Sequence, residues 1–83
     1  MINKHSLESA YCFFHQKERI YAHSTLNWQR DDIEQAIASY VDEMSPELYA
    51  LLSRGNSQFL HSHSHFHEQL QQALAELEAM LGL

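Results

Sequence analysis

The chain has one cysteine, one proline and two glycines among its 83 residues. A lone cysteine, Cys12, excludes an intramolecular disulfide and the framework that many small secreted domains depend on. A cytoplasmic, reducing setting is the expectation. The scarcity of glycine and proline argues against an array of tight turns and for long helices. Basic residues are few as well. Lys4, Lys17, Arg19, Arg30 and Arg54 are scattered, face eleven acids and leave a formal net charge of −6. Affinity for nucleic acid rests on lysine and arginine neutralising phosphate, so no nucleic-acid partner is expected. No stretch reaches the roughly 18 apolar residues that span a bilayer. The start, Met1 to His5, lacks the basic-then-apolar pattern of a signal peptide. No membrane role is expected on either count. There is no glycine-rich phosphate loop and no convergent nucleophile, base and acid, so the chain is not expected to be an enzyme.

What is present is helical periodicity. A chain this short buries only about 60–65% of its unfolded surface, so one domain over residues 1–83 is expected to gain stability from a metal or from self-association. Ile33, Ala36, Ile37, Tyr40, Val41 and Met44 recur at spacings of three and four and predict a helix over 28–44, capped by Asn27. Asp31, Asp32 and Glu34 fall near its N-terminal end, where the helix dipole favours acids. Ser45 followed by Pro46 reads as a cap and first helical residue, opening a helix over 46–54 that Gly55 stops. Phe66, Leu70, Ala73, Leu77 and Met80, widened by Leu74 and Leu81, make an amphipathic stripe, and the last helix is placed over 58–81. The first segment, 6–23, reads best as a helix carrying Leu7, Ala10, Tyr11 and Phe14 on one face. The competing hairpin about His15-Gln16-Lys17-Glu18 lacks the Gly, Asn or Asp that such turns favour. The fold class is therefore all-α, a small bundle of three to four helices with mostly antiparallel neighbours. Part of the leucine-rich last stripe is read as a homodimer contact, the alternative being that the earlier helices cover it.

The unusual feature is His61-Ser62-His63-Ser64-His65-Phe66-His67-Glu68, holding four of the seven histidines. On a helix, residues four apart share a face. His61 and His65, with Glu68 a turn further on, form an outward set suited to Zn²⁺ or Ni²⁺. His63 and His67 form an alternative pair nearer the apolar side. Paired histidines one turn apart are the arrangement that lets a helix supply two nitrogen ligands to one zinc. In an extended segment all four histidines would share a face, and the helix would start at Ser64. Cys12 and His15 add a Cys-x-x-His spacing, although Cys12 in its apolar setting reads as a small buried hydrophobe. Protonating all seven histidines would move the net charge from −6 to about +1, and stacked imidazolium groups at a helix start would loosen it below about pH 6. Trp28 is expected to seal the end of the core; exposed, it would mark a partner groove.

These readings yield two expectations. The first is a non-enzymatic protein–protein interaction or self-associating module with no cofactor. The second is a Zn/Ni-binding protein that uses the histidine run.

Overall fold

The computed structural model describes residues 3–83, and its first helix begins where a side chain can cap it. Asn3 Oδ1 accepts the Ser6 N–H at 2.8 Å, and α1 runs unbroken over Lys4–His23. The hairpin alternative for this segment is thereby excluded. After Ser24, Thr25 and Leu26 the chain turns into α2, Asn27–Glu43. Helix α3 spans Pro46–Ser53 with Pro46 in its first turn, and α4 spans Phe66–Leu81. The protein is an all-α bundle, with no strand among the described residues.

Three boundaries fall within about two residues of their predicted places, and the fourth does not. Helix α4 starts at Phe66, not near residue 58. Residues 56–65 contain Asn56, three serines and three histidines, all weak helix formers. Asn and Ser side chains also compete with the helix for backbone hydrogen bonds. Extrapolated back from Phe66, the apolar seam meets His63 instead of a hydrophobe, so a longer helix would bury little more. The segment instead folds as consecutive turns, with Asn56 N–H donating to Ser53 O, Phe59 N–H to Asn56 O and His61 N–H to Gln58 O. These turns place both Phe59 and Leu60 in the core. Gln69 Oε1 accepts the Leu60 N–H at 2.8 Å, and the Tyr49 hydroxyl donates to Phe59 O at 2.9 Å.

Helix α1 lies against both α4 and α2, and α3 rests on α4. Ala10, Phe14 and Tyr21 of α1 meet Ile33, Ile37 and Val41 of α2, Leu48 and Leu52 of α3, and Phe66, Leu70, Ala73, Leu74 and Leu77 of α4. Phe13 stacks on Tyr40 at 4.3 Å, and Tyr21 lies 5.1 Å from Phe66. Each fully buried large side chain contributes on the order of 1.5–3 kcal/mol in removed apolar surface. The α4 stripe is thus consumed inside the chain by α1 and α3. Its predicted second role as a dimer contact has only the partly covered Met80 and Leu81 left to it.

Candidate functional site

The late start of α4 places the histidine run mostly outside a helix. His61 and His63 sit in the turn segment. His65 is the N-cap in a left-handed backbone conformation, with φ 63 and no side-chain capping bond. Only His67 is helical. Each of the four rings faces a different carboxylate. His61 Nδ1 lies 2.9 Å from Phe59 O and its Nε2 lies 2.8 Å from Asp42 of α2. His63 Nδ1 donates to Glu34 of α2 at 2.8 Å. His67 Nε2 lies 3.2 Å from Glu18 of α1. His65 pairs with Glu68 of its own helix at 3.7 Å.

The predicted sets are therefore divided. His61 turns to Asp42 while His65 and Glu68 stay together on the surface, and His63 and His67 reach different helices. The predicted repulsion between stacked imidazolium groups is replaced by imidazole–carboxylate pairs. Two oxygens that can only accept hydrogen bonds, a carbonyl and a carboxylate, face the two nitrogens of His61. Both contacts are hydrogen bonds only when the ring carries both protons.

Of the four histidines, His63 meets the least exposed of the paired carboxylates, Glu34, whose side chain is 15% exposed. Its Oε2 accepts both the Tyr21 hydroxyl at 2.9 Å and His63 Nδ1. Among the described residues, ligand atoms of Asp31, Glu34 and His63 all lie within 4.8 Å of one another. They border a cleft of about 330 Å³ whose wall includes Ala38, Leu60 and Phe66. Sequence reasoning had assigned Asp31 and Glu34 to the helix dipole. With α2 beginning at Asn27, its first turn holds no acid, and the dipole's influence fades beyond that turn. The signal was the three-residue spacing of the two acids, which puts them on one helix face. It becomes informative only once His63 is known to lie opposite.

The structure brings Tyr21 into this site as well. Burial first, then its hydrogen bond to Glu34, pushes its phenol up to about 12. Cys12, expected to be buried, is exposed. It borders an open groove along α1 with His15, Arg19 and His23, away from the histidines that would have completed a Cys/His ligand set. Trp28 does not seal the core, being 63% exposed, and Leu26 beside it is 49% exposed. Among the described residues, no helix is long and apolar enough to cross a membrane. No family model, curated protein or solved structure matches this chain.

The left-handed backbone at His65 leads to a mutational prediction. A non-glycine residue there costs about 1–2 kcal/mol. The exposed ring offsets this only through its long contact with Glu68. His65→Gly is expected to raise stability by about 0.5–1.5 kcal/mol after glycine's larger unfolded-state entropy is allowed for. Urea denaturation checks this, and a loss of stability would show that the ring contributes more than its exposure implies.

Proposed function

We propose that this protein is a non-enzymatic, cytoplasmic interaction module that binds a protein partner, a second copy of itself included, through the corner between α1 and α2. The observation that carries this reading is the exposure of Trp28 at 63%, beside Leu26 at 49%, with Ile20 in the last turn of α1 at 41%. Aromatic side chains of this size dominate the energetics of protein interfaces, and tryptophan is among the residues most enriched at their centres. In a chain with few large hydrophobes to spare, leaving its one tryptophan in water sacrifices burial that the core would otherwise use. Arg30, which lies over the Tyr21 ring at 4.7 Å and donates to Ser24 O at 3.1 Å, holds the corner in a defined shape. The exposed thiol of Cys12 suits a reducing compartment.

Trp28→Ala is expected to weaken partner binding by about 2 kcal/mol or more. It should alter folding stability by no more than about 0.5 kcal/mol, because the side chain is mostly in water. Sedimentation velocity into the high micromolar range tests self-association. Quantitative co-purification of wild type and variant tests other partners. The sole tryptophan reports directly: its emission shifts to shorter wavelength when the corner is covered. Equal association and unshifted emission in both assays would overturn this reading.

A further inference from the structure

We infer that Asp31, Glu34 and His63 form a binding site for one divalent transition-metal cation, with Zn²⁺ the best-suited ion. The donor set is one imidazole nitrogen and two carboxylates. Imidazole favours zinc and its first-row neighbours over Mg²⁺ and Ca²⁺, which take oxygen ligands. Two carboxylates match a dication's charge in a chain whose own net charge is −6. Three protein ligands leave a fourth position for water, as in open zinc sites.

The geometry is largely prepared. Asp31 and Glu34 stand three residues apart on the rigid helix α2 and share a face. Glu34 is held from behind by the hydroxyl of the buried Tyr21 at 2.9 Å, the kind of outer hydrogen bond that orients a ligating carboxylate. His63 is carried by a segment that buried Phe59 and Leu60 anchor to the core. Two ligands of one tetrahedral zinc, each at about 2.1 Å, stand about 3.4 Å apart. The present separations, all within 4.8 Å, close by side-chain rotation of the exposed Asp31 and His63. The nitrogen that ligates must be bare. If Nδ1 is the ligand, the proton it now donates to Glu34 moves to Nε2 of the same ring. The cation then takes the proton's place between imidazole and carboxylate, tying α2 to the segment that precedes α4.

Calorimetric titration of the tag-free, full-length chain with ZnCl₂ tests this. One zinc per chain is expected. Asp31→Asn and His63→Ala should each weaken binding at least about 10-fold. Tyr21→Phe, which keeps the ring and removes only the hydroxyl behind Glu34, should weaken it about 10-fold. His61→Ala combined with His65→Ala should leave it unchanged. Circular dichroism of each variant separates loss of ligand from loss of fold, and Asp31→Asn alters only an exposed side chain. Zinc-induced shifts in the His63 ring resonances give a second readout. Absence of stoichiometric uptake, uptake abolished by the His61/His65 pair and indifferent to Asp31→Asn, or Mg²⁺ bound as tightly as Zn²⁺ would each overturn the assignment. None of these outcomes bears on the Trp28 corner.

Discussion

Phe66→Ala is expected to destabilise the protein by about 3–5 kcal/mol, the largest effect of any single substitution considered. Phe66 is 1% exposed, opens α4 and lies 5.1 Å from Tyr21 of α1. Removing the ring leaves a cavity where three features meet: the first turn of α4, the Tyr21 ring and the wall of the Glu34 cleft. The neighbours cannot easily collapse into it, because Leu60 and Leu70 are themselves buried and fixed. A domain of this kind is stable by only about 5–15 kcal/mol. At roughly 4–8 °C per kcal/mol for this size, the midpoint of thermal unfolding should fall by tens of degrees. Helical circular dichroism against urea and temperature measures both quantities. A cost below about 1 kcal/mol would mean that Phe66 is not the junction described. Trp28→Ala provides the contrast: a larger side chain, mostly in water, whose loss the fold should hardly register.

Raising the pH from 10 to 12 is expected to destabilise the protein. The phenol of Tyr21 is pushed up to about 12, first by burial and then by the Glu34 carboxylate to which it donates. Tyr11 is also raised, chiefly by its hydrogen bond to Glu78. Tyr40 and Tyr49 are raised chiefly by burial. In the unfolded chain each phenol ionises near 10. The fold therefore retains protons that the unfolded chain gives up. Stability from Tyr21 is fully present below pH 10 and is lost as pH rises toward 12, and the other three phenols act in the same direction. The urea midpoint of the helical signal should fall across this range, and tyrosinate absorbance should rise at higher pH than in the denatured chain. Tyrosines that titrate near pH 10 while the helical signal persists would contradict this. Tyr21→Phe should make the alkaline fall in stability shallower.

Local patterns carried the helices a long way. The three-and-four spacing of Ile33, Ile37 and Val41 is a sufficient signal for α2, because those side chains face one core whatever the details of the neighbours. Ser45-Pro46 marked the start of α3 for a purely local reason: proline fixes φ and lacks the N–H that a first turn leaves unused. The α2 cap shows the margin of such reasoning, since Leu26 occupies the predicted position of Asn27 and makes no side-chain bond. Trp28 shows a different limit. Its place at a helix start was legible, but which face of that start met the core depended on the turn at Ser24–Leu26.

The candidate site was legible in part. Four histidines in alternation drew attention to the segment that carries His63 to Glu34. They did not show which nitrogen would meet which oxygen. The partners of His61, His63 and His67 lie 19, 29 and 49 positions away, beyond the reach of any local pattern.

The sequence by itself determined that this protein is all-α, where α2 and α3 lie, and that its histidine run falls next to the apolar stripe of the last helix. Those properties follow from propensity, capping and hydrophobic period, which act within a few residues. Tertiary structure alone decided that α4 waits until Phe66, that Trp28 stays in water, and that Glu34 gathers Tyr21 and His63. The reason is burial. Phe59 and Leu60 reach the core only through a turn, and that turn carries the histidines away from one another and onto the carboxylates of α1 and α2.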